Sequence, residues 1–72
     1  MKPAKVATEV AGTVWKIVAQ NGATLAAGDV ILIMESMKME IPIEAPRAGK
    51  LAQLLVAEGD VLNEGDAVAV LE

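Results

Sequence analysis

Apolar and polar positions change rhythm several times along the chain, and each change marks an element. Residues 30 to 34, Val-Ile-Leu-Ile-Met, form an unbroken apolar block with the length and β-branched content of a strand buried on both faces. Beyond it the chain alternates. Met39, Ile41, Ile43 and Ala45 interleave with Glu40, Pro42, Glu44 and Pro46, the period-two pattern of a half-buried strand. These patterns predict a strand from Asp29 to Met34, a hairpin tip over Glu35-Ser36-Met37-Lys38-Met39-Glu40, and a strand from Met39 to Pro46. Pro42 and Pro46 restrict that last strand to a sheet edge or to ladder positions whose N–H is free. Earlier in the chain, strands are predicted over Lys5 to Val10 and Gly12 to Ala19, followed by a connector over residues 20 to 28. The series Val14, Ile17, Ala19 and the series Leu51, Leu54, Val56 each change alternation phase once, which predicts a bulge early in both strands.

The two series are copies of each other. Laying Ala11 to Glu35 over Ala48 to Glu72 without a gap matches Gly12 with Gly49, Gly22 with Gly59, Leu25 with Leu62, Gly28 with Gly65 and Asp29 with Asp66, and pairs apolar with apolar at most other positions. Each half reads strand, Gly turn, short connector, Gly-Asp turn, strand. Gly supplies positive φ at no steric cost and Asp supplies an acceptor for turn amides, so this punctuation belongs to turns rather than to a phosphate loop. Four short strands per half, with no helical periodicity beyond a turn or two, predict an all-β sandwich or flattened barrel with an approximate internal twofold. Its core is expected to be built from Val14, Ile17, Leu32, Ile43, Leu51, Leu54, Val68 and Val70. The tip falls at the junction of the halves. Its equivalent would follow Glu72, which predicts that Lys38 stands at the pole of the domain opposite the chain termini.

Composition removes most chemistry. Cys and His are absent from the 72 residues, which excludes disulfides, thiolate or imidazole metal ligands and the usual nucleophile and base pairs. The apolar fraction of 54% is carried by aliphatic residues and Met with a single aromatic, Trp15, so a chain too short for a large core must pack small side chains closely. A net charge of -4 argues against nucleic acid, whose phosphates need a basic surface. No apolar run approaches the about 20 residues of a membrane span and no signal-peptide core follows Met1, so no membrane is expected and the cytoplasm is the expected location. The start at Met1 and the fit to one domain over residues 1–72 favour a small independent protein.

Only a few side chains remain as candidates. Asp29, Asp66, Glu58 and Asp60 show no closely spaced set of oxygen ligands and are read as turn caps. Trp15 offers a stacking surface, although a lone Trp in a small β protein is more often a packing residue. Two-residue hairpin turns favour Asn, Asp or Gly, yet Met37-Lys38 occupies this one, and the hairpin would set Glu35 opposite Glu40, an unfavourable pairing of like charges. A tip lysine is ordinarily a solvated guard of a sheet edge. Poor turn residues, two Met beside a Lys and acids on both flanks form the kind of local inconsistency that chains keep at functional sites. The amine of Lys38, on a projecting turn, suits covalent attachment of a carried group by another enzyme.

Glu35-Ser36-Met37-Lys38-Met39, followed by Ala45-Pro46 and Ala48-Gly49, resembles the biotin attachment domain of biotin-dependent carboxylases, whose motif is an acid, Ala, Met, Lys, Met. The resemblance runs from about Val6 to Glu72. It implies a flattened barrel of two four-stranded antiparallel sheets, biotin joined covalently to Lys38, and a biotin protein ligase that reads Glu35, Ser36, Met37 and Met39. It further implies a carrier that is not itself an enzyme, moving carboxylate between biotin carboxylase and carboxyltransferase. Ser36 departs from the usual Ala, Val10-Ala11-Gly12 stands where the family often has Met-Pro-Gly, and residues 20 to 28 leave no room for the protruding thumb of some bacterial members. Lipoyl domains share the fold but usually carry Asp-Lys-Ala at the tip, so lipoate on Lys38 is the alternative cofactor. An unmodified adaptor on the same fold is a third reading.

Overall fold

The Gly-Asp punctuation of both halves becomes a pair of equivalent turns in the structure, a computed structural model that describes residues 3–72; Met1 and Lys2 of the expected 1–72 unit lie outside the described residues. Gly28 and Gly65 take φ values of 91° and 92°, a region that a Cβ would strain. The carboxylates of Asp29 and Asp66 close these turns by accepting from the amides of Ala26 and Asn63 at 2.9 and 2.8 Å.

Between the turns run β1 (Ala4–Ala7), β2 (Gly12–Ile17), β3 (Thr24–Leu25), β4 (Val30–Ser36), β5 (Met39–Glu44), β6 (Gly49–Leu54), β7 (Val61–Leu62) and β8 (Ala67–Leu71). They form two four-stranded antiparallel sheets, β1-β8-β6-β3 and β5-β4-β2-β7. The internal repeat is a structural twofold, visible in the strand registers. Val14 opposite Met34 and Ile17 opposite Leu32 in one sheet correspond to Leu51 opposite Leu71 and Leu54 opposite Ala69 in the other. The expected bulges lie where the phase changes, between Val14 and Lys16 and between Leu51 and Gln53. Pro42 sits on β5, an edge strand, where its missing N–H breaks no second ladder.

Several boundaries differ from expectation. The first strand ends at Ala7 rather than Val10, because Thr8 is buried and its hydroxyl donates to the Val10 carbonyl at 2.8 Å while accepting from the Val10 amide at 3.2 Å. That local bonding turns the chain out of the sheet. The connector holds the two-residue β3, and β4 continues through Ser36. Ile31, Leu32, Met34, Leu51, Val68 and Leu71 are fully buried, each side chain contributing about 1.5–3 kcal/mol by leaving water. Of the other expected core residues, Val14 and Ile43 are buried, whereas Ile17 and Leu54 only pack against the core from partly exposed positions. Val70 is also partly exposed, since it lies between inward-facing Ala69 and Leu71 on β8.

Candidate functional site

The tip is built by β4 and β5, which pair from Val30 opposite Glu44 up to Ser36 opposite Met39 and leave two residues to reverse the chain. Those residues, Met37 and Lys38, have φ values of 52° and 65°. Positive φ at both central positions is the type I′ geometry whose twist suits a two-residue hairpin, and an L side chain there costs about 1–2 kcal/mol per residue. The sheet compels it. β4 is held by β2 on one side and β5 on the other, so the register of the hairpin is set before the turn is reached.

The underside of the tip is shaped by Gly12. A Cβ at this position would fall onto the backbone carbonyl oxygen of Glu35 and lie 3.2 Å from the Ser36 Cβ. β2 therefore passes directly beneath the hairpin, which leaves no room for a side chain at position 12. Sequence reasoning treats Gly12 as part of the repeat and of the Val10-Ala11-Gly12 stretch, without placing it under the tip; its alignment with Gly49, which packs in the same way on the Glu72 carbonyl, is the signal that could have found it. From the tip, β5 leads back along the molecule to that second crowded point, so Lys38 and Glu72 stand at opposite ends of this path.

The five expected site residues come together on one hairpin. Met37 is 93% exposed and Met39 63% exposed, and Lys38 between them is exposed as well, with no hydrogen bond or ion pair among the described residues holding its amine. Glu35 pairs with Glu40 across the ladder, as expected. The acids read as turn caps do that work at Asp29, Asp60 and Asp66, while Glu58 instead reaches across to accept from the Ile17 amide at 3.0 Å. Among the described residues no group of three acids is placed to hold a metal ion. An open groove of about 450 Å³ lies between the edge strands β1 and β5, lined by Val6, Val10, Ile41 and Pro42 among others, and Lys38 is not part of its wall. The tip presents an exposed amine on a two-stranded hairpin. No helix is long and apolar enough to cross a membrane.

Comparison with known proteins agrees with this geometry. A family model described as Biotin-requiring enzyme matches residues 1–71. The Biotin/lipoyl attachment protein of Bacillus subtilis is 42% identical over 66 residues, covering 92% of this chain and 90% of that one. Urea amidolyase of Saccharomyces cerevisiae is 42% identical over 67 residues, but the chain spans only 4% of its length. The crystal structure of the Kluyveromyces lactis urea carboxylase superposes with a TM-score of 0.95 at 36% identity, over 100% of this chain and 6% of that one.

Proposed function

The chain belongs to the biotin/lipoyl attachment family, and from that premise we propose that it is a carrier domain, residues 1–72, bearing biotin in amide linkage to the Nζ of Lys38. A bound biotin supplies a ureido nitrogen able to accept and release carboxylate. The residues of this chain do the rest: β4 and β5 hold the amine clear of the sandwich, Met37 and Met39 present apolar side chains that a ligase cleft can grip, and Glu35 and Ser36 complete the recognised turn. The proposed partners are a biotin protein ligase in the cytoplasm, then a biotin carboxylase and a carboxyltransferase between which the tip moves. The observation that carries the reading is a lysine with φ of 65° in a two-residue turn between exposed methionines, a conformation that an L side chain holds at a cost.

Lipoate is kept as a second reading because the Bacillus subtilis relative is named for both groups. Incubating the chain with biotin ligase or with a lipoate-attaching enzyme, followed by intact-mass measurement, separates the two. The expected product is one biotin per chain, lost entirely in Lys38→Arg, which keeps the charge but changes the nucleophile. A Lys38→Arg variant that still gains the mass of biotin would refute the site. Met37→Asp combined with Met39→Ala, which gives the lipoyl-type triplet without changing turn length, is expected to lose most biotinylation and gain lipoylation. Equal lipoylation and biotinylation of the parent would move the assignment to a dual carrier.

A further inference from the structure

The twofold provides a test of which surface features the fold itself requires, because a fold-imposed feature should appear twice. Trp15, Val18, Met37, Met39, Leu55 and Val61 are the large apolar residues left exposed. Val18 and Leu55 are twofold mates, 50% and 41% exposed, and their amides make the same bond to the same kind of partner, the carbonyls of Ile31 and Val68. They belong to the fold. The other four have no such mate among the described residues. Trp15, 48% exposed, corresponds to Ala52, and Val61, 79% exposed, corresponds to Thr24. All four lie on the sheet or hairpin that carries Lys38.

The ladder joins Val61 to the hairpin. Thr13 pairs with Glu35 on one side and with Val61 on the other, so a single row crosses the sheet from Glu40 through Glu35 and Thr13 to Val61, while the closing pair Ser36 and Met39, one residue further on, faces the other side. Trp15 follows Thr13 on β2 at the bulge, where an extra residue re-aims a side chain. Charge differs between the two faces in the same sense. The strands of the hairpin sheet carry the exposed charges Glu35, Glu40 and Glu44 with Lys16, whereas the strands of the other sheet carry Lys5 and Lys50 and no acid. An apolar centre beside an acidic row fits a partner surface with an apolar pocket flanked by basic side chains.

We propose that this face, centred on Trp15 and Val61, is a docking surface for the ligase that modifies Lys38. The inference rests on the carrier reading above and extends it from the tip to the sheet. Reach decides between the ligase and the enzymes that use the loaded arm. The Lys38 amine ends a side chain about 6 Å long, so an enzyme that bonds to it must bring its surface against the protein around the tip. Val61 is two strand spacings from β4, about 10 Å, within that footprint. Enzymes acting on the far end of the attached group meet it roughly twice as far out and need not touch the sheet.

The test uses the unmodified chain with purified biotin ligase, ATP and biotin, measuring initial rates against carrier concentration. Trp15→Ala with Val61→Thr gives the hairpin sheet the residues of its mate. It is expected to raise KM for the carrier about tenfold with kcat little changed, the scale of losing a central aromatic contact. Trp15→Phe should restore most of the loss at equal melting temperature, and Lys50→Ala on the opposite sheet should leave KM unaltered. An unchanged KM for the double variant, with the parent modified at Lys38, overturns the docking surface and leaves the carrier reading intact. The docking surface is equally overturned if the double variant alters only self-association or carboxylation of the loaded chain, which would assign the face to a second copy or to the carboxylase. A parent chain that the ligase does not modify overturns both.

Discussion

At one end of the molecule β4 and β5 pair through Met34 and Ile41, Ile33 and Pro42, and Leu32 and Ile43, and a turn joins them. At the other end β8 and β1 pair in the equivalent register, Leu71 with Ala4, Val70 with Lys5, and Ala69 with Val6, with no turn between. Even the bulges correspond, between Val30 and Leu32 in one pair and between Val6 and Ala7 in the other. The same ladder thus forms with and without a connection. Its register comes from which side chains face the core, since a slip of one residue would turn every buried side chain outward. The register therefore does not require the turn at Met37-Lys38, and under the proposed function its unfavourable residues are the ones a partner reads.

The comparison is broken most severely in the core. Leu51→Ala removes a fully buried side chain at the centre of β6 and is expected to cost about 2–5 kcal/mol in urea denaturation. Leu54→Ala, for which the repeat pattern alone suggests a similar loss, is expected to cost roughly half as much, because Leu54 is partly exposed and its site can close or fill with water. Equal losses would show that burial at the two positions is not as the structure places it.

A smaller effect separates the two crowded glycines. Gly12→Ala drives a Cβ into the carbonyl of Glu35, which is fixed inside β4 between two neighbours, and is expected to cost about 1–3 kcal/mol. Gly49→Ala meets the carbonyl of Glu72, which lies beyond the end of β8 and can yield, so its cost should be the lesser of the two. Urea midpoints of the two variants check the order. Gly49→Ala as costly as Gly12→Ala would mean that both ends are equally rigid and that the hairpin is not specially supported.

Much of this is legible in the sequence, for a physical reason that also marks where legibility stops. Matching glycines and matching apolar phases specify matching registers, so the repeat predicts eight strands, an all-β sandwich and the bulges after Val14 and Leu51. The hairpin is legible because Val30 to Met34 and Met39 to Ala45 have different rhythms with a misfit turn between them. β3 and β7 cannot be placed, since two residues carry no period. Thr8 escapes notice because a Thr inside a strand-like run reads as an outward residue, and only the fold shows its hydroxyl bonded to Val10. Trp15 reads as a single aromatic. Its meaning depends on Ala52 standing in the equivalent place, a contrast that matters only once the strands are superposed.

The smallest expected change in stability has the opposite sign, and it bears on the turn itself. Met37→Asn with Lys38→Gly installs the pair that accepts positive φ at both central positions, while β4, β5 and their register stay as they are. Since the present residues hold φ values of 52° and 65° at a cost, the variant is expected to gain about 1 kcal/mol, read as a higher urea midpoint at an unchanged slope. It should also take no biotin, having lost both the amine and one flanking Met. A gain in stability with a loss of modification would show that the tip is shaped against the preference of the fold. A loss of stability would show instead that Met37 or Lys38 holds the hairpin together, and the contrast between the closed and the open strand pair would then reflect structure rather than use.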